Sequence, residues 1–148
     1  MTRLKIPNTR LIEGVLKIFV GTGPGFNDAG CTEERWIDVD LMTPGFKGSP
    51  VDLSSHQVQV SVVLEGEQHI IPCLDILYMM RSKLGNCVAR GMARDIDDIR
   101  FLLENFGDDV AGIWRDLDQD DVDEFLELDW VLELPNSVCD RYRRVLGR

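Results

Sequence analysis

Hydrophobic and polar positions follow different periods in the two halves of the chain. In the first half, short runs rich in β-branched and aromatic residues, such as VLKIFVG (residues 15–21) and RWIDVDLM (35–42), are typical of strands. The glycine-rich sequence GTGPGFNDAG between these runs predicts a hairpin. A third run, HQVQVSVVLEG (56–66), alternates valine with polar residues, and HIIP (69–72) predicts a short last strand.

From residue 73 onward, apolar residues recur at spacings of three and four, as on one face of an α-helix. This spacing predicts amphipathic helices over residues 73–89, 94–107 and 116–134. Gly107 is expected to end the second helix, and Pro135 is placed to open a last one. Strands followed by helices predict an α+β fold: a small, mostly antiparallel or mixed sheet of three or four strands, followed by a cluster of four or five helices.

The length and composition of the chain indicate one globular domain. Its 148 residues fit a single domain, 1–148, with a strand-rich half (1–72) and an acidic helical half (73–148). The first residues lack the apolar segment of a signal peptide, and no run approaches the length of a membrane span. We therefore expect a cytoplasmic or otherwise intracellular protein without a membrane partner. Its four cysteines are too widely spaced for paired zinc ligands and are expected to be free thiols.

The net charge of −10 is concentrated in the second half of the chain. Residues 1–93 carry 9 basic and 10 acidic side chains, whereas residues 94–148 carry 7 and 16. A protein that binds DNA or RNA normally presents a basic face, so this balance disfavours nucleic-acid binding. The acidic helices favour a protein partner instead. The sequence does not decide whether the chain also forms a homo-oligomer.

The glycine loop that follows Val20 has the composition of a phosphate-binding loop. Such loops work because backbone N–H groups converge on the phosphate at the N-terminus of a helix that follows directly. Here a predicted strand follows, and Pro24 removes one N–H donor. The sequence therefore favours a hairpin tip.

The acidic run from Asp116 to Asp129 has two interpretations. It holds eight carboxylates and no basic residue, and four of them match the first, third, fifth and twelfth positions of an EF-hand loop: Asp116, Asp118, Asp120 and Glu127. However, Asp121 stands at the sixth position, where glycine permits the sharp turn. A helix start capped by Asp118 or Asp120 is favoured, and a Ca²⁺ loop is the alternative.

Asp38 and Asp40 stand two residues apart in a predicted strand, so they point to the same face. Paired acids of this kind can hold two Mg²⁺ ions, which clamp the attacking and leaving oxygens in phosphoryl or nucleotidyl transfer. The alternative is a solvated strand face, with Ile37, Val39 and Leu41 pointing to the core.

The order of the elements adds a family resemblance. The strand VLKIFVG, the strand WIDVDLMTPG, a polar connection to SP, a third strand, and then IIPCLDILYMMRSKL and RDIDDIRFLL together resemble the later portion of the nucleotidyltransferase-like domain in fungal proteins of the polymerase-β superfamily. The resemblance covers roughly residues 12–110.

The resemblance implies roles for particular residues. Asp40 would be the third catalytic carboxylate, with Asp38 beside it on Mg²⁺, and Arg81 or Lys83 would contact the nucleotide phosphates. Three further residues match the start of the helix that closes the domain: Arg94, Asp95 and Asp98.

The chain departs from the family pattern at the element that active members need most. Active members carry a Gly-Ser or Gly-Gly turn at a helix N-terminus and, about ten residues later, an Asp-x-Asp pair. Only about a dozen residues precede the matching region, and they contain neither element. Gly21-Thr22 and Asp38-Val39-Asp40 do not fit as that motif either, because the segment between them is rich in Gly and Pro and no later strand supplies a third acid.

We therefore expect a truncated, non-catalytic nucleotidyltransferase-like domain that binds another protein and requires no cofactor. One alternative is a Mg²⁺-dependent nucleotidyl- or phosphotransferase that uses Asp38 and Asp40 and is completed by a partner chain. Another is an acidic Ca²⁺-binding or structural interaction module.

Overall fold

The computed structural model describes residues 3–6, 14–26, 28, 30–46, 48–64 and 66–148, and it has the predicted α+β architecture, with antiparallel strands preceding helices. The strands are β1 (Leu4–Lys5), β2 (Val15–Thr22), β3 (Arg35–Met42), β4 (Gln57–Leu64) and β5 (Glu67–Leu74). The helices are α1 (Ile76–Arg90), α2 (Ala93–Asn105), α3 (Gly107–Ile113), α4 (Gln119–Leu126), α5 (Asp129–Leu132) and α6 (Asn136–Val145).

The chain divides into two compact units, an N-terminal unit (Met1–Phe46) and a C-terminal unit (Lys47–Arg148). The strands lie in two separate sheets, the first made of β1, β2 and β3 and the second of β4 and β5. The expected organisation as one domain, divided at residue 72, stays a prediction.

The N-terminal unit is built on the predicted hairpin. Strands β2 and β3 pair antiparallel along their whole length, from Val15 opposite Met42 to Thr22 opposite Arg35. The connection holds a short 3₁₀ turn at Pro24–Phe26, and the Asp28 carboxylate accepts a hydrogen bond from the Gly23 N–H at 3.0 Å. The glycine loop is thus a hairpin connection, as predicted.

The β2–β3 register gives the sheet one apolar and one mixed face. Leu16, Ile18 and Val20 stand opposite Leu41, Val39 and Ile37, respectively. We expected the three β3 residues of this face to point to the core, but Ile37 is 51% exposed and Leu41 48% exposed. A sheet buries a face only where a second layer covers it, and the described residues of this unit form no second layer.

The C-terminal unit begins with the β4–β5 hairpin, which pairs from Gln57 opposite Leu74 to Leu64 opposite Glu67. Strand β5 is longer than the predicted short strand and includes Leu74, which its spacing had assigned to the following helix. Cross-strand pairing with β4 extends the strand to that residue. Asp75 then caps α1, with its carboxylate accepting a hydrogen bond from the Tyr78 N–H at 2.9 Å.

The helices agree with the hydrophobic spacing, with two additions. The region 116–134, predicted as one helix, contains α4 and α5, and α3 begins at Gly107, which was expected only to end α2. Both α3 and α5 have at most seven residues, too few to display a clear hydrophobic period. Helix α6 starts directly after Pro135, as predicted.

The hydrophobic core lies among the helices of the C-terminal unit. Side chains predicted on the helical stripes are buried in it, including Met80, Leu84, Ile99, Leu103, Val122 and Phe125. Full burial of such a side chain contributes about 2 kcal/mol. Within the part of the chain that the structure describes, no helix combines the length and apolar character needed to cross a bilayer.

The junction between α1 and α2 is fixed by an ion pair. Helix α1 is capped at its C-terminus by Gly91, which adopts the left-handed conformation (φ 57°) common at this position. Arg90 precedes this glycine and Asp95 follows it in the chain. The Arg90 guanidinium donates hydrogen bonds to both carboxylate oxygens of Asp95, which is 1% exposed. The hydrogen bond from Arg90 is the main cause that lowers the pKa of Asp95.

Candidate functional site

Asp38 and Asp40 share one face of β3, as predicted, and both bind the same lysine. The Lys17 Nζ atom lies 2.8 Å from Asp38 Oδ2 and 3.0 Å from Asp40 Oδ1. Lys17 stands directly opposite Asp40 in the β2–β3 register, and Asp38 is the diagonal neighbour within reach of a long side chain. The hydrogen bond to Asp38 is the main cause that raises the pKa of Lys17, and the hydrogen bond to Asp40 adds to the effect.

The ammonium group of Lys17 therefore contacts both carboxylates at the position where a bridging cation would bind. A Mg²⁺ ion held by the same two side chains would have to displace it, since the two cations need the same oxygen atoms. Both acids are about half exposed, and exposed ion pairs are weak, so displacement is not costly. In the described part of the chain, no group of three or more His, Cys, Asp or Glu side chains is arranged to hold a metal ion. The Mg²⁺ site at Asp38 and Asp40 stays a prediction.

The end of this sheet face near the hairpin connection carries aromatic and cationic contacts. Lys5 Nζ lies 3.6 Å from the centroid of the Trp36 ring, a cation–π contact. Phe26, from the hairpin connection, packs edge-on against the same ring, with centroids 5.6 Å apart. These contacts hold β1 and the hairpin connection to β3.

The two predicted phosphate ligands lie on α1, and each binds a group of the protein. Lys83 Nζ lies 2.5 Å from Asp98 Oδ2 on α2. The Arg81 guanidinium donates two hydrogen bonds, at 3.0 and 2.6 Å, to the main-chain carbonyl of Asp116. In this structure they hold α1 to α2 and to the segment before α4, and their role toward a nucleotide stays a prediction.

Arg81 also lies on the wall of a cleft of about 630 Å³ between α1 and residues 116–121. Three residues that line the cleft are apolar: Leu84, Ala89 and Leu117. The polar lining groups come from the same two elements: Arg81, Ser82, Asn86, Asp116, Asp118 and Asp121. On α1, Gly85 leaves the floor without a side chain, and a Cβ atom built there would lie 3.4 Å from Asp121 Oδ2.

Asp121 differs from the other acids of this cleft in its surroundings. Its side chain is half-buried and has no hydrogen-bond or ion-pair partner among the described residues. Burial is the main cause that raises its pKa, and three neighbouring acids add to the effect: Asp118, Glu124 and Asp120. The cation nearest in the lining, Arg81, is engaged with the Asp116 carbonyl. The cleft therefore contains a carboxylate whose charge the described residues leave uncompensated.

The acidic run forms a helix start, as the favoured interpretation predicted. Asp118 is the N-cap of α4, and its carboxylate accepts hydrogen bonds from the N–H groups of Asp120 and Asp121 at 3.0 and 3.4 Å. An EF-hand loop wraps these positions around one ion. Asp120 lies in the first turn of α4 and Glu127 directly follows its last residue, about 10 Å farther along the helix axis. The Ca²⁺-loop geometry is therefore not formed.

A second polar cluster joins the loop before β4 to the start of α1. His56 Nδ1 lies 3.0 Å from Asp75 Oδ2, and the His56 ring packs on Tyr78 at 4.4 Å between centroids. A carboxylate that orients a histidine is a common part of nucleophilic sites. The neighbouring hydroxyls of Ser54 and Ser55, however, donate to Asp52 and lower its pKa to about 2. The His56–Asp75 pair therefore links the loop before β4 to the start of α1, and the same Asp75 carboxylate caps that helix.

Four residues of these clusters were not singled out from the sequence. Lys17 could have been found by counting the hairpin register outward from its turn. His56 and Asp75 are 19 residues apart, with a whole hairpin between them, and no local signal connects them. Asp121 was considered only as an unsuitable residue in an EF-hand loop.

Comparison with known proteins gives no further assignment: no family model, curated protein or solved structure matches the chain significantly. The resemblance to nucleotidyltransferase-like proteins thus depends on the sequence features alone.

Proposed function

We propose that the chain is a non-catalytic module of the nucleotidyltransferase-like kind and that it binds another protein through the acidic surface of its helices. The observation that carries the proposal is the pairing of one ammonium group, that of Lys17, with both Asp38 and Asp40. An internal cation at this position supports a structural role for the two acids.

The other expected catalytic elements support the same conclusion. Two-metal transfer requires carboxylates that hold both ions and cations that neutralise the transferred phosphoryl group. Among the described residues, the two acids of β3 have no third partner in a metal-binding group. Lys83 and Arg81 are occupied by Asp98 and by the Asp116 carbonyl. The two basic side chains are therefore engaged within the protein, and the two acids lack the third carboxylate that a two-metal site requires.

A protein partner is supported by the charge of the helical region. Residues 94–148 carry 16 acidic and 7 basic side chains, which favours encounter with a basic surface. Phe101 and Phe106 are both exposed and pack on each other at 5.9 Å between centroids, and Asp108 and Asp109 follow Phe106 closely in the chain. Exposed aromatic side chains beside complementary charge are common in protein interfaces.

Nucleotide turnover tests the non-catalytic part of the proposal. The chain is incubated with Mg²⁺ and, in turn, ATP, CTP, GTP and UTP, while pyrophosphate and phosphate release are measured and binding is followed by calorimetry. We expect neither turnover nor saturable binding. Turnover of any nucleotide would overturn the proposal, provided that an Asp40→Ala variant purified in the same way lacks it. The variant separates activity of the chain from that of a contaminant.

A Mg²⁺-dependent transferase is the second candidate. The observation that favours it is the exposure of both acids, with Asp38 55% and Asp40 53% accessible, so a metal and a partner chain could approach them. Full activity in the Asp40→Ala variant would eliminate it.

A further inference from the structure

The β4–β5 hairpin is a two-stranded sheet, and among the described residues both of its edges are unpaired. We infer that the β4 edge pairs antiparallel with the same strand of a second copy of the chain, so that two hairpins form one four-stranded sheet. This contact uses a surface other than the acidic helices and goes beyond the proposed function.

The hairpin by itself covers little of its apolar surface. Six apolar side chains of its two strands are between 38% and 70% exposed: Val58, Val60, Val63, Leu64, Ile70 and Ile71. A two-stranded hairpin is marginally stable in water unless a further strand or a helix covers it. The half-buried end of β5, at Cys73 and Leu74, leads into α1, whereas the rest of the hairpin extends away from that support. An added strand would supply what this sheet lacks.

The β4 edge has the composition of a strand that can be extended. Proteins protect an exposed edge with charged side chains, with proline, or by keeping the edge strand very short. Strand β1 has only two residues, β3 carries two aspartates, and β5 contains Glu67 and Pro72. Strand β4, with the sequence QVQVSVVL, has eight residues, no charge and no proline. Its edge is therefore the unprotected one among the described strands.

The strand is complementary to itself in an antiparallel pairing. A pairing centred on Ser61 places Val60 opposite Val62 of the other copy. Val58 then lies opposite Leu64, and all four side chains are on one face because residues two apart in a strand share a face. Directly opposite β-branched side chains stabilise antiparallel sheets. No charged groups of β4 oppose each other, although the whole chain carries a net charge of −10.

The match in length, alternation and charge favours a second copy as the occupant. A strand of another protein would need the same apolar alternation and the same lack of charge, whereas a two-fold axis provides both. The main-chain hydrogen bonds of strand addition supply the affinity. The contact is one strand wide and about 26 Å long, which is small for a permanent dimer. We therefore expect a weak, reversible dimer.

Sedimentation equilibrium of the full chain tests the inference from about 10 μM to about 1 mM, the range in which weak dimers form. A reducing agent keeps the exposed Cys31 from forming a disulfide, and about 0.3 M salt screens the net charge. We expect the average mass to rise from that of the monomer toward that of the dimer. Amide hydrogen exchange at the two ends of this range should show added protection in the hairpin, largest in β4.

Two lysine substitutions separate the β4 edge from the rest of the hairpin. Gln68 Nε2 donates a hydrogen bond to Ser61 Oγ at 2.7 Å, and both side chains are exposed. Ser61→Lys and Gln68→Lys therefore change the same contact and the net charge by the same amount. Ser61→Lys places two ammonium groups opposite each other at the centre of the pairing and should weaken the dimer about fivefold. Gln68→Lys places the charge on β5 and should change the dissociation constant less than about twofold.

Circular dichroism of both variants checks that the fold is retained. A chain that stays monomeric at about 1 mM would overturn the inference and would leave the β4 edge to a strand of another protein. An equal effect of the two substitutions, or concentration-dependent protection confined to β3 or to the helices, would also overturn it. None of these outcomes depends on nucleotide turnover, so failure of this inference is distinguishable from failure of the proposed function.

Discussion

Arg90 and Asp95 form a two-point ion pair across the junction of α1 and α2, with Nε to Oδ2 at 2.8 Å and Nη2 to Oδ1 at 3.0 Å. The arginine is partly exposed and the aspartate almost completely buried. The guanidinium of Arg90 therefore compensates the negative charge of Asp95, which is buried in the helical core.

Replacing Arg90 by Met should lower the free energy of unfolding by about 2 kcal/mol at pH 7, because a buried carboxylate loses its charged hydrogen bonds. The pKa of Asp95 is lowered in the folded protein, so the stabilisation is present above its unfolded value of about 3.8 and is lost as the pH falls through the folded value. Urea unfolding at pH 7 and at pH 3 should show the difference between wild type and variant shrinking at the lower pH.

The matched control for that measurement is Arg143→Met, which removes an exposed arginine that lies 3.8 Å from Asp140 on the same helix. Exposed pairs of this kind contribute little. An equal loss of stability in both variants would contradict the role of the Arg90 pair.

Replacing Lys17 by Met should leave Asp38 and Asp40 side by side without their shared cation. Two neighbouring carboxylates repel each other, and in the wild type Mg²⁺ must first displace the weak ion pairs of Lys17, so the variant should bind Mg²⁺ a few-fold more tightly than the wild type. Calorimetric titration with Mg²⁺ measures the difference. An Asp38→Asn change in the same background should abolish the gain, and Mg²⁺ binding by the wild type as tight as by the Lys17→Met variant would show that Lys17 does not compete for the site.

Replacing Asp121 by Asn should make the protein more stable at pH 7. A carboxyl group whose pKa is raised on folding destabilises the folded state once it ionises, so stability falls as the pH rises through its titration. The gain should be a few tenths of a kcal/mol, as for a like-charge pair at helical spacing, and should vanish below pH 3.8, where the group is protonated in both states. Thermal unfolding against pH measures it, and a similar gain in Asp120→Asn would show that net charge alone is responsible.

The four thiols should react with a maleimide in an order set by burial. Cys31 is exposed, Cys73 is half-buried, and Cys87 and Cys139 are buried in the helical core. Burial, with smaller effects of Asp95 and Glu124, also raises the pKa of Cys87, which lowers its thiolate fraction. Mass spectrometry at pH 7.5 should find Cys31 labelled first and Cys87 last, with all four labelled in denaturant. Rapid labelling of Cys87 in the native protein would indicate that α1 is not packed as described.

The sequence predicted most of the long elements, because a period of two or of 3.6 is visible only over several residues. Helix α2 and the β2–β3 hairpin were found in this way, while the two-residue β1 was not predicted at all. Leu74 was assigned to a helix because its spacing fits one, and the pairing of β5 with β4 decided otherwise. Periodicity is a property of neighbouring residues in the chain, whereas strand pairing depends on residues farther apart in the sequence, such as Gln57 and Leu74.

The candidate sites were predicted less completely for the same reason. Asp38 and Asp40 were recognised as a same-face pair, but the register that brings Lys17 between them involves a second strand. The carboxylate of Asp121 was visible in the sequence as part of an acidic run. Its separation from the solvated acids beside it depends on the packing of α4 against α1, which no spacing rule specifies.

Strand β3 lies at the edge of its sheet, and an edge strand presents unpaired N–H and C=O groups that can template the addition of another chain. If a second copy of β3 lay antiparallel alongside it about Val39, Asp38 of each copy would face Asp40 of the other, and like charges directly opposite oppose such pairing. The two acids therefore disfavour this register of strand addition. That protection requires neither a metal nor a nucleotide, and it would be lost if both were changed to alanine.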